Sequence, residues 1–316
     1  MSGSPGGGGS ERLVVAAFAG NALFAGGGAV GVRLSNRELD PLWGASVRFG
    51  LAAILMLLLM AGLRLRVPRG RALTGALLYG ALNFGAAFAL FYYALVELQA
   101  GFGQILLALM PLATLLLAVA QRQERLHASA FAGIVLAVVG VAVMSRAPLR
   151  ESIPPLSLLA ALGSVLCFAQ AAVIVRRFPD VHPVAMNAVG MTTGATLLVA
   201  GAVLAGDPIV LPESAATWAG IAYVVVVGSV VVFLLYLYVL RHWVASRTAY
   251  VFVLVPFVTV ALSAWIDDEP VGAGLVFGGA LVLAGVYVGA LRPGAWPPNR
   301  GSPRFYASEG PLRAAS

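Results

Sequence analysis

Long apolar stretches separated by short charged or proline-marked breaks dominate the chain. A helix needs about 20 apolar residues to cross a bilayer core of about 30 Å at a rise of 1.5 Å per residue. Stretches of this length predict an all-α membrane protein with ten transmembrane helices. They cover residues 13–32, 43–63, 72–95, 99–120, 129–145, 156–175, 183–205, 217–240, 245–266 and 271–291.

The second half of the chain repeats the first. A shift of 145 positions aligns residues 73–140 with residues 218–285 without a gap. The rarer identical pairs are Tyr93 with Tyr238, Pro111 with Pro256, Thr114 with Thr259 and Glu124 with Glu269. Because five is an odd number, a duplicated five-helix unit must enter the membrane the other way up. Two inverted five-helix repeats are typical of secondary transporters, which open a central site to each side in turn.

These boundaries divide the chain into four parts. The first repeat covers residues 12–146 and the second covers residues 154–291. Residues 1–11 are glycine-rich and are predicted to be a disordered leader. Residues 292–316 are rich in Pro, Gly and Arg and are predicted to be a disordered cytoplasmic tail.

The arginines predict the orientation of the chain in the membrane. With the N-terminus inside, four arginines lie in outer loops (Arg33, Arg37, Arg146 and Arg150), and Arg48 lies within a span. The other fifteen lie on the inner side: Arg12, Arg64, Arg66, Arg69, Arg71, Arg122, Arg125, Arg176, Arg177, Arg241, Arg247, Arg292, Arg300, Arg304 and Arg313. This positive-inside bias predicts cytoplasmic termini. The Ala/Gly/Val-rich composition favours a prokaryotic plasma (inner) membrane.

Composition excludes several classes of function. Only 10% of the 316 residues are charged, against roughly 25% in soluble domains. We therefore expect the chain to lie in a lipid bilayer and not to bind nucleic acid. All 20 basic residues are arginine, which excludes a P-loop lysine and hence ATP as an energy source. The single cysteine, Cys167, supplies no disulfide or cysteine zinc site. We expect no cofactor, no metal and no catalytic residues, and therefore not an enzyme.

Several segments resemble the EamA-type members of the drug/metabolite transporter superfamily. They are Ala-Ser-Val-Arg48-Phe, Ala81-Leu-Asn83-Phe, Leu-Met-Pro111, Glu124-Arg-Leu, Val-Pro256 and Asp-Asp-Glu269-Pro. The resemblance covers roughly residues 12–291. It implies a ten-helix carrier that moves small metabolites, often exporting amino acids or related compounds. The substrate stays open, because a fold does not dictate its ligand.

Uncharged polar groups within the spans are candidates for contact with a small-molecule substrate. An amide in hydrocarbon is costly, so each should face the bundle interior and bind either substrate or a neighbouring helix. Tyrosines can add walls with a hydroxyl group. The candidates are Asn21, Asn83, Gln104, Gln170, Tyr79, Tyr93, Tyr223 and Tyr250. We predict a cavity near the midplane, between the repeats, lined by spans one, three, four, six, eight and nine.

Arg48 is the only formal charge well inside a predicted span. It is expected to pair with Glu97, to attract an anionic substrate group such as a carboxylate, or to extend to the interface. Pro111 and Pro256, near the middle of the fourth and ninth spans, are predicted hinges or gates, or else structural bends. Glu269 and its repeat partner Glu124 begin the tenth and fifth helices, whose dipoles they should complement.

Coupling and assembly are less constrained. No Asp or Glu lies deep within a span, which favours a facilitator or exchanger over an obligate proton antiporter. The spacings Gly27/Gly31, Gly274/Gly278 and Gly285/Gly289 predict close helix packing within one chain more than a dimer, so a monomer is favoured. A multidrug-type exporter of apolar solutes and a non-transporting membrane scaffold or receptor stay open as alternatives.

Overall fold

The computed structural model describes residues 7–121, 128–146, 154–175, 177–178, 180–232, 235, 238–239 and 251–291. These residues fold into helices, with no strand among them. We number the helices in chain order and treat segments that follow without a loop as one helix. They are α1 (Gly7–Asn36), α2 (Pro41–Gly62), α3 (Arg71–Glu97), α4 (Ala100–Ala120), α5 (Ala128–Arg146), α6 (Pro155–Val175), α7 (Pro183–Ala205), α8 (Ala215–Val231), α9 (Val251–Ile266) and α10 (273–291).

The helix lengths confirm a helical membrane protein. Helices α1, α2, α3, α4, α6 and α7 are long and apolar enough to cross a bilayer. The described parts of α5, α8, α9 and α10 are apolar, but each has a shorter apolar stretch. Helix α1 begins at Gly7, inside the predicted leader. The predicted tail, residues 292–316, lies outside the described residues.

The loops gather at two ends of the bundle, which we name by one residue each. The Asp267 end holds residues 37–40, 98–99, 206–214 and 267–272. The Arg177 end holds residues 63–70, 121, 177–178 and 180–182. Successive helices run between these ends in alternate directions. Helix α1 ends at the Asp267 end, whereas its repeat equivalent α6 begins there. The start of α6 is placed by Ser157, which donates a hydrogen bond to Glu97 at the end of α3.

Equivalent helices of the two repeats pack against each other in antiparallel pairs. In the α5–α10 pair, Gly140 faces Gly278 while Gly133 faces Gly285 and Gly289. Helix α2 likewise packs on α7, and α1 contacts α8 and α9 just as α6 contacts α3 and α4. Contacts that recur in this way indicate that the two repeats are related by an approximate two-fold axis. Gly278, Gly285 and Gly289, three of the glycines predicted to pack closely, lie against the backbone or side chains of other helices.

Two equivalent helices depart from regular α-helical geometry at the same place. Helix α3 is π-helical over Ala81–Ala86, and α8 is π-helical over Tyr223–Val231. The 145-residue shift places the first segment on residues 226–231 of the second. Such widened turns are rare and often occur at functional sites, because they change which side chains and carbonyl groups face the interior.

The two proline-containing helices have different shapes. Helix α4 consists of Ala100–Leu107 and Met110–Ala120, with a break just before Pro111. Helix α9 runs through Pro256 without a break from Val251 to Ile266. Thr114 and its equivalent Thr259 each donate a hydrogen bond to the carbonyl four residues earlier, which tends to bend a helix. The repeats are therefore similar but not identical in conformation.

Candidate functional site

Arg48 is buried where α2 meets α3 and the π-helical part of α8. Its side chain is 7% exposed, and its guanidinium carbon lies 5.0 Å from the ring centre of Phe49 and 4.9 Å from that of Phe88. On its α8 side is Gly228: a Cβ atom built there would lie 3.5 Å from Nη2 of Arg48. We call this group the Arg48 site: Arg48, Phe49, Phe88, Tyr92 and Gly228. It lies about 10 Å along α2 from Pro41, at 1.5 Å per residue.

The aromatic rings offset the burial of the charge but do not satisfy its hydrogen-bond donors. An arginine at the centre of a membrane helix costs roughly 2.5–3.5 kcal/mol, and a desolvated cation–π contact returns about 2 kcal/mol. Two such contacts can therefore hold the guanidinium in place. The hydroxyl of the fully buried Tyr92 interacts with the guanidinium group. However, Nε of Arg48 has no hydrogen-bond partner in the described part of the chain.

The predicted pairing of Arg48 with Glu97 is wrong. The Glu97 carboxylate instead accepts a hydrogen bond from Ser157 on α6, at the Asp267 end. The ion pairs among described residues all involve Arg33 or Arg37, so Arg48 has no carboxylate partner there. Its phenylalanine contacts also hold it among the helices and away from the interface. Of the three predicted roles, attraction of an anionic group is compatible with these surroundings.

Four of the predicted polar residues join helices to one another. Asn21 donates to the carbonyl of Val232 at 2.7 Å, and Tyr223 donates to the carbonyl of Phe24 at 2.6 Å, so both link α1 to α8. Tyr79 donates to the amide oxygen of Asn187 on α7 at 3.0 Å. Gln170, near the end of α6, accepts from Gln121 at 2.8 Å.

The other predicted residues lie in different surroundings. Asn83, in the π-helical part of α3, and Gln104 on α4 are half-buried, and neither side chain has a hydrogen bond within the described chain. Tyr93 is 43% exposed. Tyr250 lies outside the described residues. Arg48, Asn83 and Gln104 are thus the buried or half-buried candidates that have a polar atom without a hydrogen bond in the described chain.

Two cavities lie away from the Arg48 site. One, of about 290 Å³, is at the Arg177 end between the loop that follows α2 and the starts of α3 and α7, lined among others by Leu65, Asp180 and His182. The other, of about 490 Å³, is at the surface of α1 beside Arg12. Neither includes Arg48. Around Arg48 the rings of Phe49, Phe84, Phe88 and Phe168 pack on one another with centroid separations of 4.5–5.4 Å.

A cluster of charges joins four parts of the chain at the Asp267 end. Nε of Arg33, on α1, lies 2.8 Å from Asp267 and 2.9 Å from Glu269. Arg37 also pairs with Asp267, whose side chain is only 2% exposed. A second nitrogen of Arg33 donates to the carbonyl of Leu98 at 2.7 Å. We call Arg33, Arg37, Asp267 and Glu269 the Asp267 cluster.

Glu269 caps a helix other than the one predicted. Its carboxylate accepts hydrogen bonds from the backbone N–H groups of Ala100, at 2.8 Å, and Gly101, so it caps α4. The N-cap of α10 is Gly272. Asp268, with φ of +51°, turns the chain in a left-handed conformation between the two clustered carboxylates. The equivalent prediction for Glu124 lies outside the described residues.

The Arg177 end holds a polar contact between α4 and α6. Nη2 of Arg177 donates to the amide oxygen of Gln121 at 2.7 Å, and the amide nitrogen of Gln121 donates to Gln170. These are hydrogen bonds to neutral groups, whereas the Asp267 cluster contains buried carboxylates. Among the described residues, buried carboxylates thus join the helices at the Asp267 end and amide groups join α4 to α6 at the Arg177 end.

Glu38 caps α8 from the loop between α1 and α2, and this cap should make stability depend on pH. The Glu38 carboxylate accepts hydrogen bonds from the hydroxyl and the backbone N–H of Ser214 and from the backbone N–H of Glu213. These hydrogen bonds lower the pKa of Glu38 to about 2. A lowered pKa contributes stability above the unfolded-state pKa of about 4.5, and this stability is lost as the pH falls towards 2.

We therefore expect Glu38→Gln to lower the melting temperature at pH 7, with a difference from the unaltered chain that shrinks below about pH 4.5. Differential scanning fluorimetry in detergent measures this. Glu213→Gln is the matched control, because that side chain is exposed and has no hydrogen bond in the described chain. A difference that is independent of pH would contradict the proposed origin of the stability.

Sequence reasoning did not single out the rings around Arg48 or the ion pairs of the Asp267 cluster. A signal for the first was available: Phe84 and Phe88 are four residues apart and so share a helix face. Phe49 directly follows Arg48. No signal in the sequence links Arg33 to Asp267, which are 234 positions apart and meet only in the folded chain.

Comparisons with known proteins agree with this architecture. The chain is 29% identical over 257 residues to an uncharacterized transporter, YyaM, of Bacillus subtilis, covering 78% of this chain and 83% of that protein. An uncharacterized transporter of Archaeoglobus fulgidus is 27% identical over 273 residues, covering 81% and 91%. One crystal structure shares the fold with a TM-score of 0.62 at 16% identity, covering 89% of this chain and 97% of its own. The EamA-like transporter family matches residues 12–146 and 155–290, one match for each repeat. The predicted resemblance is thus confirmed, and the chain belongs to the EamA-like transporter family.

Proposed function

We propose that this chain is a secondary transporter that moves a small metabolite, such as an amino acid, across the plasma (inner) membrane by alternating access. Membership in a transporter family supports the general activity. The observation that carries the mechanism is the antiparallel packing of equivalent helices, α2 on α7 and α5 on α10. Two inverted halves that enclose one centre can exchange conformations, and this exchange opens the centre to opposite sides.

The unequal conformations of the halves support the same mechanism. Helix α4 is broken before Pro111 while α9 is continuous at Pro256. The repeats also differ where α7 meets α3 and where the equivalent helices α2 and α8 meet. Gly80 and Gly190 bring the backbones of α3 and α7 into contact. Arg48, which aligns with Gly190, lies between α2 and α8. In our proposal, α4 and α9 bend at their prolines as the bundle moves between its two states.

The proposed orientation places the Arg177 end and both termini in the cytoplasm. The arginine-rich connection Arg64–Arg71 lies at that end, as the positive-inside rule requires. The Asp267 end then faces outward, closed by the Asp267 cluster. All ten helices cross the membrane in this proposal, including the four with shorter apolar stretches.

Counterflow in proteoliposomes tests the proposal. We expect liposomes that contain the chain and unlabelled solute to accumulate labelled solute above protein-free liposomes, with a saturable rate, for at least one member of a panel of amino acids and related metabolites. Exchange should proceed at equal pH on both sides and without ATP, because the spans contain no deep carboxylate.

Other outcomes would redirect the assignment. Counterflow that requires a proton gradient would overturn the predicted facilitator or exchanger mode. Efflux of apolar dyes, with no metabolite transported, would favour the multidrug-type exporter. Absence of flux for the whole panel and for dyes would contradict transport by this chain and favour a scaffold or receptor.

A further inference from the structure

We propose that the Arg48 site binds a carboxylate group of the transported metabolite, an inference that rests on the transport function proposed above. Arg48 is more than nine-tenths buried, and no described carboxylate forms an ion pair with its guanidinium group. The neutral groups around it, two phenylalanine rings and the Tyr92 hydroxyl, do not cancel the charge, so an anion from outside the protein would be strongly favoured there. A metabolite carboxylate is such an anion.

The geometry favours a planar oxyanion over a spherical ion. Phe49 and Phe88 contact the guanidinium group, and this leaves its N–H groups to donate to an acceptor. A guanidinium group presents these donors as a planar fork that matches the two oxygens of a carboxylate. Nε of Arg48, which has no hydrogen-bond partner among the described residues, supplies a further hydrogen bond to the same ligand.

Helix α8 passes close to the guanidinium group at a position without a side chain. Gly228 has no side chain where α8 passes Nη2 of Arg48. It lies in the π-helical segment Tyr223–Val231, which Asn21 and Tyr223 bind to α1. Arg48 has no equivalent in the second repeat, where the aligned residue is Gly190, packed against Tyr79 and Phe84. The second repeat therefore has no equivalent of the Arg48 site.

Matched acids and amides test the proposal on the unaltered chain. L-Leucine and L-leucinamide differ in the carboxylate, and further acid–amide pairs follow from the metabolites that are active in counterflow. We expect the acid, and not the amide, to raise the melting temperature in detergent and to compete in counterflow. Equal effects of acid and amide would overturn the proposal, as would chloride that stabilises the chain as well as the acid does.

Variants locate the effect at Arg48. We expect Arg48→Gln to reduce the counterflow rate of carboxylate-containing solutes about tenfold to a hundredfold. This is the effect expected when one buried, charge-assisted hydrogen-bonded pair is lost. Arg48→Lys keeps the charge but loses the fork, so it should retain a part of the flux. Arg69→Gln, on an exposed loop residue, is the matched control and should leave flux unchanged.

The two proposals fail in different ways. If the unaltered chain moves no solute, the transport function fails. If it moves solutes but Arg48→Gln, shown to be monodisperse, transports acids at the unaltered rate, only the carboxylate site fails. The acid–amide comparison does not depend on any variant, so it decides the question even if Arg48→Gln does not fold.

Discussion

Replacement of Gly140 by leucine is expected to abolish accumulation of the folded protein. A Cβ atom at this position would lie 2.6 Å from the carbonyl oxygen of Gly278 and 2.7 Å from the backbone nitrogen of Val282. These are backbone atoms, so no side-chain rotation relieves the clash and α5 must separate from α10. Overpacking of a core costs about 1–3 kcal/mol where side chains can shift, and more here, against a total stability of about 5–15 kcal/mol.

The yield of monodisperse protein in detergent, measured by fluorescence size-exclusion chromatography, tests this expectation. Gly50→Leu is the matched control: Gly50 lies within α2, and a Cβ atom there meets nothing within 4 Å. That variant should accumulate normally. A Gly140→Leu chain with the yield and melting temperature of the Gly50→Leu chain would mean that α5 and α10 do not pack through these glycines.

The glycine-lined face of α10 was predictable because its signal is local, but its packing on α5 was not predicted. Glycines four or seven residues apart occupy one helix face, and the repeat places Gly133 and Gly140 opposite Gly278 and Gly285. The helices themselves were predictable for the same reason, since hydrophobic length decides them. The number of membrane crossings was not settled in this way, because α5, α8, α9 and α10 have shorter apolar stretches.

The roles of single polar residues depended on distant partners. Asn21 was a candidate to bind either substrate or a neighbouring helix, and its hydrogen bond to the carbonyl of Val232 is to a neighbouring helix. Glu269 precedes α10, which made it a plausible cap for that helix. The left-handed turn at Asp268 and the proximity of Ala100 direct its carboxylate to α4 instead. Neither the turn nor the proximity has a signature in the sequence.

Neutralising Asp267 is expected to open the Asp267 end of the bundle. Its almost fully buried carboxylate pairs with both Arg33 and Arg37, and so holds α1 to the connection between α9 and α10. Breaking a fully buried pair costs about 3–5 kcal/mol. Because Arg33 and Arg37 are partly exposed, we expect about 2 kcal/mol for Asp267→Asn, or a shift of about 30-fold towards the open state.

Labelling of a buried cysteine reports this opening. Ser229 is buried beside Gly228 in α8, so Ser229→Cys in a Cys167→Ser background places one reporter thiol near the Arg48 site. We expect Asp267→Asn to raise the rate of labelling by a membrane-impermeant maleimide from the outer face of right-side-out vesicles. Labelling from the inner face of inverted vesicles should not rise, because the contact of Gln121 with Gln170 is unchanged.

Asp268→Asn separates the effect of the ion pairs from a general effect of lost charge. Asp268 is the adjacent residue, it is exposed, and it takes part in none of the ion pairs of the described chain. Asparagine tolerates its left-handed backbone, so the turn should persist. Equal labelling of the two variants, or faster labelling from the inner face alone, would show that the Asp267 cluster does not close the outer side. Faster outer labelling of Asp267→Asn alone would identify buried ion pairs as the lock on that side, since these two variants remove the same charge from adjacent positions.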